Sequence, residues 1–145
     1  MPITKRIVTV AAELGHVRSY LADFSNAVDW DPGTVRCPRR GSGEIEVGAE
    51  WDNVTKFLGR ESKIRYRLEH FGPERVMLVG KNKTVTSIDD ITLRAVPGGT
   101  EITYVSDVTF HGLAKLADPL TRPIFHKLGN ETAANLERIL GSVAR

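Results

Sequence analysis

The chain has 145 residues, of which 41% are hydrophobic and 26% charged, and its 20 Lys+Arg against 18 Asp+Glu leave a formal charge of +2. A chain of that length fits one domain spanning residues 1–145, and on folding it buries roughly 68–70% of its unfolded surface, enough for a core without covalent staples. The balance excludes a disordered chain, and so small a basic surplus gives no argument for a nucleic-acid or membrane partner.

Residues 3–10, ITKRIVTV, are rich in β-branched types and predict a first strand. Leu14, Val17, Leu21 and Phe24 then recur at spacings of three and four, which lines one face of a helix with apolar side chains. Glu13 in its first turn complements the helix dipole. A short second helix or turn over 25–30 leads to a stop at Asp31-Pro32-Gly33. From residue 34 to 110 the pattern is strand after strand. In 61–71, Ser62, Ile64, Tyr66, Leu68 and His70 face one way, and Lys63, Arg65, Arg67 and Glu69 the other. The preceding run, 46–58, sets Val47, Ala49, Trp51 and Phe57 against Glu50, Asp52 and Lys56. Residues 100–110 set Ile102, Tyr104, Val108 and Phe110 against Glu101, Thr103, Asp107 and Thr109. Val85, Ser87, Asp89, Ile91 and Leu93 share a face of a further strand, which predicts a buried Asp89. Gly59-Arg60, Gly72-Pro73-Glu74, Lys81-Asn82-Lys83 and Pro97-Gly98-Gly99 separate the runs as hairpin turns, so neighbouring strands are antiparallel.

After Gly112 the pattern is helical. Leu113 pairs with Leu116, Ala117 and Leu120, whereas Leu136, Ile139, Leu140 and Val143 occupy another angular sector. Pro119 and Pro123 do not both fit inside one regular helix without cost. The expectation is a short helical segment, a break near 118–123, and a helix to about residue 142, capped by Thr121 with Pro123 in its first turn. Such a helix of some 20 residues is about 30 Å long and spans a sheet. The fold class is therefore α+β: a strand, two short helices, about six strands and a long helix. Together these give an antiparallel sheet of about seven strands with one apolar face, which only the last helix is long enough to cover.

Several stretches resemble the helix-grip superfamily that unites START domains, birch-pollen-allergen-like proteins and polyketide cyclases/dehydrases (SRPBCC). They are Val17 to Asn26 followed by Trp30-Asp31-Pro32-Gly33; Gly48, Trp51 and Phe57-Leu58-Gly59-Arg60; Pro97-Gly98-Gly99-Thr100-Glu101-Ile102-Thr103-Tyr104; and Phe110-His111-Gly112-Leu113. The resemblance covers essentially the whole chain. It implies a cavity between sheet and last helix that holds a small hydrophobic molecule, lipid-like or polyketide-like. It carries no shared catalytic set, so a cyclase/dehydratase activity and a protein-interaction role stay open beside simple binding or carriage.

The inward-facing residues are the candidate ligand contacts. Trp51, Phe57, Ile64, Tyr66, Leu68, Tyr104, Val108 and Phe110 supply apolar wall, with Phe125 and Leu128 from the last helix above them. Asn53, His70, Ser87 and Ser106 supply polar points among them, as do Thr55 and Ser62. If a reaction occurs, His70, Asp89, Tyr66 and Tyr104 are the acid/base candidates. The four histidines form no HxH or HExxH pattern and Cys37 is the only cysteine, so neither a metal site nor any other cofactor is expected. No GxSxG, Walker A or GxGxxG motif occurs. Lys56, Arg60, Lys63, Arg65 and Arg67 alternate with Glu50, Asp52, Glu61 and Glu69 as cross-strand charge pairs, not as a nucleic-acid surface. The lone thiol and the lack of an apolar leader or membrane-length run point to a cytoplasmic protein. A homodimer through an edge strand or helix stays open, without a dedicated signal.

Overall fold

The computed structural model describes residues 3–142, with the backbone alone for residues 116–120. β1 (Ile3–Val10) pairs along its full length with β8 (Gly99–Phe110), from Ile3 against Asp107 to Val10 against Thr100. Between them lie α1 (Leu14–Ala22), α2 (Ala27–Trp30), β2 (Thr34–Arg36), β3 (Arg39–Arg40), β4 (Glu50–Phe57), β5 (Arg60–Phe71), β6 (Arg75–Lys81) and β7 (Val85–Val96). All pairings are antiparallel, in the order β1-β8-β7-β6-β5-β4-β2, with the two-residue β3 also on β4. The seven-strand path curls into a half-barrel, and α3 (Asp118–Leu140) packs against it. This is the α+β arrangement that the alternation predicts, in the helix-grip order that the resemblance implies.

Local chemistry sets the boundaries. Asp23 accepts from the backbone N–H and the hydroxyl of Ser25 (3.2 and 2.6 Å), which opens a short 3-10 turn, Phe24–Asn26, leading into α2. Asp31 ends that helix by accepting from the Gly33 N–H at 3.1 Å and the Thr34 hydroxyl at 3.0 Å. The β4–β5 hairpin turns on Leu58 and Gly59, both with positive φ (53° and 79°), as a two-residue turn between twisted strands requires. Val47 departs from its expected inward place and is 55% exposed, because β4 starts only at Glu50, beyond the turn made by Gly48 at φ 98°.

The C-terminal region also departs from expectation. A 3-10 segment, Gly112–Ala117, passes directly into α3 at Asp118, so there is no break over 118–123. Pro123 lies inside the helix, and Thr121 is a buried helical residue instead of its cap. The proline removes one N–H donor near the start of the helix, where a missing ladder bond costs less than it does mid-helix. The expected stripe through Leu116, Ala117 and Leu120, and the position of Val143, lie outside the described residues. α3 crosses β1 closely at Gly129, where an added Cβ would run into the Thr4 side chain. Arg6 ties the two together by donating to Asn130 Oδ1 at 2.8 Å and to the His126 carbonyl at 3.1 Å.

One end of the half-barrel is packed solid. Phe24, Trp30 and Trp51 are fully buried there, with Phe24 edge-on to Trp30 at 5.8 Å and to Trp51 at 6.3 Å, and tilted on Tyr66 at 4.5 Å. Leu21, Leu68, Leu78, Ile91 and Leu93 complete this region.

Candidate functional site

Toward the other end, α3 does not fill the concave face. A cavity of about 250 Å³ remains between sheet and helix. β4 and β5 contribute Thr55, Phe57, Ser62, Ile64 and Tyr66 to its wall; β7 and β8 contribute Val85, Ser87, Asp89, Tyr104, Ser106, Val108 and Phe110. Phe125, Leu128, Gly129 and Thr132 of α3 face them. Arg60 and Thr84 are the lining residues exposed to solvent, and they mark the mouth. Just inside it, Phe125 stacks on Phe57 at 5.2 Å and tilts against Phe110 at 6.2 Å.

The cross-strand register explains the deeper wall. Asp89 pairs with Ser106, so Tyr104 is its diagonal neighbour on the same face, and the Tyr104 hydroxyl donates to Asp89 Oδ1 at 2.6 Å. Trp30 buttresses the Tyr104 ring from behind at 5.8 Å. Tyr66, Gly80 and Ser87 lie in one cross-strand row. Gly80 has no side chain, and the Tyr66 ring occupies the space a Cβ would need, leaning across toward Ser87.

This end of the cavity is acidic. Burial, reinforced by the nearby Asp31, pushes the Asp89 carboxyl up to about 7, against the opposing pull of the Tyr104 hydrogen bond. Burial also raises half-buried Asp31, which the Gly33 and Thr34 donors partly offset. The Tyr66 and Tyr104 phenols are raised by burial and by the Asp89 charge, so both stay protonated at neutral pH. The group thus holds a carboxyl that titrates near neutrality, hydrogen-bonded to a phenol within an apolar enclosure. It can accept, donate or relay a proton.

Of the candidate contacts, Phe57, Ile64, Tyr66, Ser87, Tyr104, Ser106, Val108, Phe110, Phe125 and Leu128 stand on the cavity wall, as does Asp89. Four others do not. Trp51 and Leu68 are fully buried in the solid end. Asn53 is buried under β2, donating to Thr34 Oγ1 at 3.0 Å and accepting from Thr55 at 2.5 Å. His70 faces solvent instead of the apolar interior. The β5–β6 register shifts between Leu68 (against Leu78) and His70 (against Met77), and this bulge turns both Glu69 and His70 outward. That removes His70 from any chemistry inside the cavity. Asp31, Thr132 and Thr4 are lining residues that periodicity did not single out. Asp31 reads locally as a helix stop, and nothing in its sequence context says that it faces a hollow.

Among the described residues, no group of three His, Cys, Asp or Glu side chains is placed to hold a metal ion, and no helix is long and apolar enough to cross a membrane. Burial pushes the Cys37 thiol up to about 12, so it is unreactive at neutral pH. On the outward face, Arg40 of β3 and Arg65 of β5 pair with Asp52 of β4 at 2.9 and 3.5 Å, and Arg67 pairs with Glu69 within β5 at 3.9 Å.

Comparison with known families places this geometry. The family described as "Polyketide cyclase / dehydrase and lipid transport" matches residues 1–141. Among solved structures, protein TTHA0849 from Thermus thermophilus superposes with a TM-score of 0.78 at 10% identity, over 96% of this chain and 97% of that one. A START superfamily protein from Mycobacterium smegmatis gives 0.69 at 16% identity, over 95% and 93%. The di-domain ARO/CYC StfQ of the steffimycin biosynthetic pathway gives 0.70 at 10% identity, over 95% of this chain and 50% of that one. At these identities the likeness is one of fold. A comparison with curated proteins finds no match.

Proposed function

Since the chain belongs to the polyketide cyclase / dehydrase and lipid transport family, matched over residues 1–141, we propose that it binds a small hydrophobic molecule, lipid-like or polyketide-like, between sheet and C-terminal helix. The supporting observation is the hollow itself. One end of the interior is packed to full burial, while the other leaves about 250 Å³ walled mainly by aromatic and aliphatic side chains. A concave, mostly apolar hollow with a few polar points on its wall is the usual form of a small-molecule site.

Native mass spectrometry of the purified protein tests the proposal. A stoichiometric apolar species should be carried, and it should be lost in Leu128→Trp, which fills the cavity from α3. If the protein carries none, and a panel of apolar probes shows no binding that Leu128→Trp removes, the reading is wrong.

A second reading, a cyclase/dehydratase-type enzyme, draws support from the 2.6 Å contact between Tyr104 and Asp89 inside the hollow. Two of the acid/base candidates converge there, as a proton-transfer site requires. A protein-interaction module would instead predict a collapsed interior.

A further inference from the structure

The geometry points to a hydrophobic amine, and against a fatty acid or other anionic lipid, as the ligand of this cavity. This inference rests on the binding reading above. Two acidic residues line the same hollow: Asp89 from β7, and Asp31 from the turn after α2, whose oxygens accept from Gly33 and Thr34. Asp89 is 3% exposed, and its Oδ1 is engaged by Tyr104. Among the hydrogen bonds of the described residues, its Oδ2 accepts none. A carboxylate oxygen of a buried residue on the cavity wall that no protein donor engages is an incomplete site, and the guest can supply that donor.

The cations stand elsewhere. Among the described wall residues only Arg60 is positive, and it is exposed at the mouth. Once Asp89 is ionised, above about pH 7, a ligand carboxylate seated at the deep end would bring a third negative charge against two in a medium that screens poorly. An ammonium there completes Asp89 and is attracted by Asp31 as well, while its apolar body lies against Ile64, Val108 and Leu128.

The groups facing Asp89 set its pH dependence. They are Tyr104 from β8, Tyr66 from β5 and, from the turn after α2, Asp31; among the described residues α3 contributes no charged group to the wall and β6 no wall residue. The two phenols are neutral near pH 7, so the carboxylates alone gain charge in that range. An alkylamine stays protonated throughout. Its affinity should therefore rise roughly tenfold between about pH 6 and about pH 8, as Asp89 ionises.

Three molecules of nearly equal shape separate the possibilities in titration calorimetry on the whole protein: naphthylethylamine, naphthylethanol and naphthylacetate. Naphthylethylamine should bind most tightly at about pH 8 and show the rise with pH. Naphthylethanol should bind more weakly, without that rise, and naphthylacetate weakest of all. Asp89→Asn should cost the amine at least tenfold and flatten its pH profile, leaving the alcohol within about twofold; Asp31→Asn should weaken the amine less. Should Asp89→Asn not fold, the wild-type pH profile and the rank of the three ligands still decide. The proposal is overturned if naphthylacetate matches the amine at about pH 8, or if amine affinity is flat with pH. If the alcohol or the acid binds and the amine does not, the amine preference alone is wrong. If none of the three binds, the binding reading falls together with it.

Discussion

Asp89→Asn isolates the energetic cost of keeping an acid inside an apolar cavity. The carboxamide preserves shape and still accepts the Tyr104 hydroxyl at Oδ1, so the main change is the loss of a titratable charge. In the folded protein Asp89 is pushed from its ordinary 3.8 up to about 7. In the unfolded chain it ionises near the ordinary value. Between those limits the folded state holds a proton that the unfolded state has already released, so stability falls as pH rises. The full displacement corresponds to about 4 kcal/mol, lost progressively between about pH 4 and about pH 7. Urea unfolding of wild type and variant across that range measures it. The wild type should lose about 4 kcal/mol relative to Asp89→Asn as pH rises, and the two curves should run parallel below about pH 4. Taking the difference cancels groups present in both proteins. Among these is Asp52, whose carboxyl Arg40 holds low and whose contribution has the opposite sign, being lost as pH falls through its folded value. Parallel curves over the whole range, or a wild type that gains on the variant as pH rises, would refute a buried, proton-holding Asp89.

Two further substitutions probe the solid end and the row beside the cavity. Trp51→Ala should cost about 3–5 kcal/mol in denaturant unfolding, because the ring is fully buried against Phe24 in the packed end and its removal opens a new void. A loss well under that range would mean the ring borders empty space. Gly80→Ala places a methyl 2.6 Å from the Tyr66 ring and 2.8 Å from the Ile64 side chain, so a residue of the cavity wall must shift. The expected result is a loss of about 1–3 kcal/mol together with reduced uptake of naphthylethanol; unchanged uptake would mean that the ring moves elsewhere.

The alternation in β5, β7 and β8 was legible residue by residue. Ile64, Tyr66, Ser87, Asp89, Tyr104, Ser106 and Val108 all face inward as period two requires, because side-chain direction in a regular strand is a local property. His70 shows where that reasoning stops. A one-residue bulge leaves the sequence pattern intact while reversing the face, and the bulge belongs to the pairing with β6, not to β5 alone. Trp51 and Leu68 show a second limit. Both point inward as expected, yet inward there means solid core, since α1, α2 and their connecting turn drive Leu21, Phe24 and Trp30 into that half of the interior. The long final helix was foreseeable from its apolar spacing, whereas its start at Asp118 depended on a 3-10 segment that local proline rules argue against.

By itself, then, the order of residues determined the element types, the antiparallel succession and the inward set, all of which follow from spacing along the chain and short turns. Where the interior is filled and where it is hollow, and that Asp31 and Asp89 line the same cavity although they lie 58 positions apart in the chain, was decided only by tertiary structure. Empty volume and the interaction of distant charges depend on how remote elements approach each other in space, and no local pattern encodes that approach.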